Sequence, residues 1–104
     1  MGQIALIAGE ELYYGAALAG VKRSFLVRFV YEMKKTLNQI KEDKSLALVI
    51  IEKELESLLD QEDSEFVHSS QSPLFFFISR EGKAGYGKEL ASLIAKLGVK
   101  SDES

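Results

Sequence analysis

Carboxylates and a hydroxyl follow three apolar segments of the sequence at places where they could accept a phosphoryl group. Glu10 and Glu11 follow the first apolar segment, Glu52 ends the third, and Ser79 follows the fourth. In a parallel sheet such positions meet at the carboxyl ends of the strands, where small ligands gather. An acidic pair, an acceptor carboxylate and a hydroxyl are the groups that a phosphoryl-accepting receiver domain uses. Together these ends carry Gly9, Glu10, Glu11, Glu52, Ser79 and Arg80.

Two departures weaken the receiver hypothesis. The acceptor position holds Glu52, whereas receivers need aspartate there, and the sequence shows four strand segments without the fifth that supplies the receiver lysine. The simpler interpretation is that these polar residues are solvated strand ends and helix starts. A divergent receiver-like or nucleotide-sensing signalling domain is therefore kept as the alternative function.

A glycine-rich stretch has part of the pattern of a phosphate-binding loop. The segment Gly82–Lys88 follows a predicted strand, opens a helix and has the glycine and lysine spacing of a P-loop. A P-loop needs Ser or Thr next to bind magnesium, but Glu89 places a carboxylate beside the expected phosphates. We therefore predict no nucleotide site and interpret Gly82, Gly85 and Gly87 as hinges before the last helix.

No other set of residues has the spacing of a catalytic or metal site. His68 stands alone in a polar stretch, and Ser24 and Ser79 have no positioned histidine base. The sequence has no cysteine, which excludes disulfides, thiolate metal sites and cysteine redox chemistry. We predict no catalytic residue, no metal and no cofactor.

The composition is that of an ordinary globular domain. Its 104 residues suit a single domain, with 46% hydrophobic and 28% charged residues. The formal net charge of -3 gives no electrostatic attraction toward nucleic acid, which we exclude as a partner. A secretory signal would require a basic residue near its start, but none precedes Lys22. No apolar run reaches the length of a membrane span. We expect a soluble chain.

The strands are predicted from the apolar runs. Within Ser45–Glu52, six consecutive apolar residues predict a strand that is covered on both faces, in the middle of a parallel sheet. Strands are predicted at about 3–8, 24–28, 45–51 and 74–78, each followed by a helical segment. This alternation predicts a single-domain α/β fold, an open four-stranded parallel sheet in the flavodoxin-like order 2-1-3-4 with helices on both faces.

Helices are predicted from apolar periodicity and capping residues. The first begins with Glu10 and ends at Gly20, and the third has a break at 60–65 before a polar loop at 68–72. Apolar stripes define the second and last helices: Val30, Met33, Leu37 and Ile40, and Tyr86, Leu90, Leu93, Ile94 and Leu97. Residues 1–81 are thus assigned to an α/β core, and 82–104 to a glycine-rich hinge, a C-terminal amphipathic helix and a tail.

Three stretches carry a resemblance to a known family. Gly15–Val21 reproduces a Gly-x-x-Leu-Ala-Gly-Val pattern that ends the first helix of that family. Leu46–Glu56 matches its apolar third strand and Glu-rich helix, and Pro73–Ile78 matches its proline-led fourth strand. In these stretches, and over nearly its whole length, the chain resembles the F subunits of the V-type and archaeal-type rotary ATPases, which are small proteins of the central stalk.

The resemblance implies that the chain is not an enzyme by itself and works by binding other proteins. Members of that family bind the D subunit, a coiled-coil shaft, and rotate with it, which couples ATP synthesis or hydrolysis to proton or sodium transport. It implies a cytoplasmic location, other V-type ATPase subunits as partners, and contact with a membrane only through that complex. The docking surface is expected on the C-terminal half, which is rich in large apolar side chains: Phe75, Phe76, Phe77, Tyr86, Leu90, Leu93 and Leu97.

Overall fold

A four-stranded parallel sheet forms the centre of the fold, with the strand order β2-β1-β3-β4. The structure is a computed structural model that describes residues 2–18 and 20–79. Its strands are β1 (Gln3–Ala8), β2 (Arg23–Leu26), β3 (Leu46–Glu52) and β4 (Leu74–Ile78). The predicted flavodoxin-like α/β sheet is confirmed, and only β2 and β3 are displaced, by one or two residues, from their predicted bounds. The division at residue 81 stays a prediction, because 80–104 lie outside the described residues.

The two inner strands carry the core. β1 and β3 pair in parallel, so that Leu6 lies beside Ile50 and Ile7 beside Ile51. All four side chains are fully buried. Successive side chains of a strand point to opposite faces of the sheet, so a strand buried on both faces needs a continuous apolar run. The prediction that β3 is a doubly covered middle strand is therefore confirmed.

Helices cover both faces of this sheet. They are α1 (Glu10–Leu18), α2 (Val30–Glu42), a 3-10 helix (Lys53–Leu58) and α3 (Gln61–Ser69). α1 packs Leu12 and Ala16 against one face. α2 packs Met33, Leu37 and Ile40 against the other, where side chains of the 3-10 helix and of α3 also lie. The sheet is thus enclosed on both sides at β1, and the predicted arrangement is confirmed.

The end of α1 has the geometry that its sequence predicts. Gly20 has a φ of 93°, a left-handed conformation that glycine adopts without strain. Its N–H donates to the carbonyl of Ala17 at 3.2 Å, and the N–H of Val21 donates to that of Ala16 at 3.1 Å. These two bonds satisfy carbonyl groups that the last turn of a helix leaves without partners.

Three details of the predicted helices differ from the structure. Val30 belongs to the predicted apolar stripe of α2, but it is 53% exposed, because it opens the helix beyond the part that packs on the sheet. The break in the third helix is confirmed only at its start. Asp60 is the N-cap of α3, and the acidic residues that follow form its first turn, where carboxylates are favourable. His68 lies inside α3 and not in a loop.

A charged turn joins α2 to β3. The hydroxyl and the backbone N–H of Ser45 both donate to Asp43, the latter at 2.9 Å, and the guanidinium of Arg23 on β2 pairs with the same carboxylate. These hydrogen bonds, those from Ser45 first, lower the pKa of Asp43 to about 2. The turn thereby ties the edge strand β2 to the start of the central strand β3.

Replacing Asp43 with asparagine is expected to destabilise the fold at neutral pH and to have no effect on stability at a pH below about 2. The pKa of Asp43 in the folded state lies below its ordinary value of 3.8, so the ionised carboxylate contributes fully to the free energy of unfolding above pH 3.8. The contribution is lost as the pH falls through about 2. Urea unfolding of wild type and Asp43→Asn across this range measures the difference. A matched substitution at Glu65, which is exposed in the middle of α3, is the control: Glu65→Gln should change stability by no more than about 0.5 kcal/mol. A stability gap for Asp43→Asn that stays constant across the pH range would contradict the prediction.

Candidate functional site

Glu52 lies at the point where the strand order reverses, between the carboxyl ends of β1 and β3. Its Oε1 accepts a hydrogen bond of 2.8 Å from the backbone N–H of Gly9, which directly follows β1. The side chain is only 6% exposed. The residue that occupies the acceptor position of the receiver hypothesis thus binds a backbone group of the neighbouring strand end.

Glu10, the first of the acidic pair after β1, forms an ion pair with an arginine on the β2 side of the sheet. It pairs with Arg28, which follows β2, at 3.1 Å between Oε2 and Nη1. Arg28 also lies 3.9 Å from Glu32 of α2. Ser79 is half-buried after β4, and Arg80 lies outside the described residues. Within 2–18 and 20–79, no three His, Asp or Glu side chains are grouped closely enough to hold a metal ion.

The start of α2 is an exposed aromatic end of the molecule that sequence analysis missed. Phe29 occupies the N-cap position, where a polar side chain is usual, and the carboxylate of Glu32 supplies the cap by accepting from the N–H groups of Arg28 and Phe29 at 2.7 and 3.2 Å. The rings of Phe29 and Tyr31 are parallel, with centroids 6.1 Å apart. Because the Glu32 side chain folds back over one turn and accepts these hydrogen bonds, α2 tolerates an apolar residue at its N-cap position.

The three phenylalanines of β4 divide between the two faces of the sheet. Phe75 and Phe77 are half-buried against α3, with ring centroids 5.5 Å from Phe66 and 5.4 Å from His68. Phe76 points to the face that carries α1 and is 46% exposed. Of the predicted docking residues in the described part, Phe76 is therefore the one whose ring is available to a partner.

Phe76 belongs to an apolar surface that we call the Phe76 face. Ile4, Leu48 and Leu74 lie side by side across β1, β3 and β4, and Phe76 lies beside the buried Ile50. Leu74 is 55% exposed, while Ile4 and Leu48 are half-buried. Within the described residues, α1 covers the β1 side of this face and leaves the β4 side open. The Phe76 face consists of Ile4, Leu48, Leu74 and Phe76.

The other half of the predicted site lies outside the described residues. Tyr86, Leu90, Leu93 and Leu97, which were predicted to join the docking surface, belong to that part of the chain. The predicted hinge glycines belong to it too: Gly82, Gly85 and Gly87. Their contribution to the site therefore stays a prediction.

Charged residues fix α3 in place behind β4. The ammonium group of Lys34 on α2 lies 2.7 Å from Asp60 and 3.1 Å from the buried Asp63. Asp60 also accepts from the N–H of Asp63 at 2.7 Å. Hydrogen bonding to Lys34 lowers the pKa of Asp60, and the two aspartates raise the pKa of Lys34. This arrangement holds Phe66 of α3 against Phe75, on the face of β4 opposite to Phe76.

The described residues thus define a flavodoxin-like α/β domain whose outer strand β4 exposes an apolar surface. The fold is similar to that of the F subunit of the V-type ATP synthase of Archaeoglobus fulgidus. The TM-score is 0.67 at 18% sequence identity, and the match covers 74% of this chain and 96% of that chain. No family model matches the sequence, and no curated protein sequence matches it significantly. At this level of identity, the likeness shows a shared fold.

The described helices are short compared with the thickness of a membrane. None of those in residues 2–18 and 20–79 is long and apolar enough to cross a bilayer. The longest, α2, has 13 residues and a polar outer side.

Proposed function

We propose that the chain is a non-catalytic rotor component in the central stalk of a V-type ion-translocating ATPase or ATP synthase, where it binds the coiled-coil shaft, the D subunit of that complex. The observation that carries this proposal is the fold likeness to the F subunit of a V-type ATP synthase over 96% of that chain. The sequence pattern at Gly15–Val21 supports it independently of the fold. The complex would place the chain in the cytoplasm, at the membrane only through its partner subunits.

The proposed role is mechanical. A close-packed domain resists deformation, so a domain bound to a two-helix shaft stiffens the shaft and moves with it. The structure suits this role because buried side chains fill both sides of the sheet, with Leu6 and Ile50 in one cluster and Ile7 and Leu37 in the other. In such a complex, the chain would help to couple ATP synthesis or hydrolysis to the transport of protons or sodium without an active site of its own.

The Phe76 face is the proposed shaft-docking surface in the described part of the chain. It is apolar and partly exposed, and an aromatic side chain lies beside the central strand. Aromatic residues are enriched at the centres of protein interfaces and often dominate the binding energy. The proposed surface is completed by the residues predicted from the C-terminal segment, Tyr86, Leu90, Leu93 and Leu97, with Gly82, Gly85 and Gly87 as hinges.

Substituting Phe76 is expected to weaken binding to the purified shaft protein about tenfold or more, because truncation of an interface aromatic removes a large buried contact. Isothermal titration calorimetry of wild type and Phe76→Ala measures the change. Tyr14→Ala is a matched control, since Tyr14 is a similarly exposed aromatic residue on the outer side of α1. Leu93→Ala tests the C-terminal half in the same way, once circular dichroism has shown that all variants are folded.

The results separate the site from the function. If wild type binds the shaft protein and Phe76→Ala binds as tightly, the docking surface lies elsewhere and the stalk role stands. If wild type does not bind the shaft protein and does not copurify with V-type ATPase subunits, the proposed function is wrong.

The alternative, a receiver-like or nucleotide-sensing domain, predicts different ligand binding. It requires binding of magnesium-ATP or an acyl phosphate, whereas the stalk role requires neither. Calorimetry with magnesium-ATP discriminates between the two. Micromolar affinity that Lys88→Ala abolishes would favour the alternative, because Lys88 occupies the lysine position of the P-loop-like spacing.

A further inference from the structure

The outer edge of β4 is an uncovered strand edge in the part of the chain that the structure describes. β4 is the last strand in the sheet order and pairs in parallel with β3 over Leu74–Ile78. The other backbone N–H and carbonyl groups of such an edge strand point away from the sheet, and within residues 2–18 and 20–79 they have no backbone partner. The flavodoxin-like order usually continues with a fifth strand at this place. One further strand therefore fits beside β4.

β4 has few of the features that keep strand edges of soluble proteins from pairing, which are charges, prolines, bulges and very short strands. No charged residue occurs between Ser69 and Ser79, and the ladder with β3 has no register shift. Pro73 precedes the strand and leaves the five positions after it unprotected. The opposite edge, β2, is shorter and carries Arg23, whose guanidinium pairs with Asp43. Of the two edges, β4 is the one suited to accept a strand.

A second copy of the chain supplies a strand that matches this edge. When two copies of β4 run antiparallel about a twofold axis at Phe76, Phe75 of one copy lies opposite Phe77 of the other, and Leu74 lies opposite Ile78. Every opposed pair is then apolar, and no like charges meet across the junction. Cross-strand aromatic and β-branched pairs are the kind that stabilise a sheet. The proposed shaft is a coiled coil and has no strand to add, whereas a second copy has β4 itself.

We propose that two copies of this chain associate in solution through their β4 edges and so join their two four-stranded sheets into one. A five-residue edge buries less than the area of about 1,200 to 2,000 Å² that is typical of stable interfaces. The dimer is therefore transient, with a dissociation constant of roughly 10 μM to 1 mM. The pairing uses backbone groups of the edge, whereas the shaft is proposed to bind the Phe76 face, so the association is tested without shaft protein.

Sedimentation equilibrium of the whole chain, at concentrations from roughly 10 μM to 1 mM, measures the association. We expect the average mass to rise from that of one chain toward that of two. Phe76→Lys places two ammonium groups opposite each other in the dimer and should weaken it at least about tenfold. Tyr14→Lys is the matched control, because it adds the same charge at an exposed aromatic residue of α1 and should dimerise like wild type. Circular dichroism confirms that both variants are folded.

Disulfide cross-linking tests the register, because the sequence has no cysteine of its own. In Phe76→Cys the two introduced thiols lie opposite each other, with Cα atoms about 4.5 to 5.5 Å apart, within the range of a disulfide. Leu74→Cys is the control: Leu74 is similarly exposed on the same face, but its counterpart in the second copy lies about 13 Å further along the strand. The proposal is overturned if the chain stays monomeric up to about 1 mM, if Phe76→Lys dimerises like wild type, or if Leu74→Cys cross-links as readily as Phe76→Cys.

Discussion

Replacing Ile50 with alanine is expected to lower the free energy of unfolding by about 2 to 5 kcal/mol. Ile50 is 1% exposed in the middle of β3, between Leu6 on β1 and Phe76 on β4. Truncation removes three buried carbon atoms and leaves a cavity that the paired strands on either side cannot close by moving together. Urea denaturation followed by circular dichroism measures the loss, which is a large part of the total stability of a domain of this size.

Val30→Ala is the control for this experiment. It also shortens a β-branched apolar side chain, but one that is 53% exposed at the start of α2. Its effect should remain within about 0.5 kcal/mol. A loss below about 1 kcal/mol for Ile50→Ala would show that β3 is not enclosed on both faces, and would contradict the central position of this strand.

Replacing Glu52 with alanine is expected to cost about 1 to 3 kcal/mol of unfolding free energy. The side chain accepts a hydrogen bond from the N–H of Gly9, and its removal leaves that partly buried donor without this acceptor. Glu52→Gln keeps a carbonyl oxygen of the same reach and should therefore lose much less. Hydrogen exchange at the amide of Gly9 provides a local measurement, because it should become faster in the alanine variant.

The ranking of the two Glu52 variants identifies what the carboxylate does. Equal losses for alanine and glutamine would mean that the negative charge, and not the acceptor for Gly9, stabilises this end of the sheet. If neither variant loses stability, the hydrogen bond from the N–H of Gly9 to Glu52 contributes nothing to the free energy of unfolding.

The sheet was predictable because its determinants are local in sequence. The apolar run in β3 demands cover on both faces, and that demand fixes a central position and a parallel sheet. Three strand-helix-strand units with right-handed crossovers then leave few possible orders. Gly20 was predictable for a similar reason, since a left-handed helix end strongly favours glycine.

The surface could not be predicted in the same way. Helical periodicity placed Val30 on the same side of α2 as the buried Met33, but whether the first turn of that side reaches the sheet depends on where the helix starts relative to β2. The three phenylalanines of β4 form one apolar run, yet only the packing of α3 decides that Phe75 is more covered than Phe76. Likewise, nothing near Lys34 in the sequence indicates its pairing with the aspartates of α3.

The pairing of β1 with β3 has a consequence for the order in which the chain can fold during synthesis. β1 ends at Ala8 and β3 begins at Leu46, so 46 − 8 = 38 positions separate the two strands. At about 5 to 20 residues per second, a ribosome needs roughly 2 to 8 seconds to cross that interval. During this time β1 can pair only with β2, and its edge toward β3 is left with free backbone groups and uncovered apolar side chains. The nascent chain is therefore most open to aggregation and to chaperone capture in this window, which closes when Glu52 has left the exit tunnel.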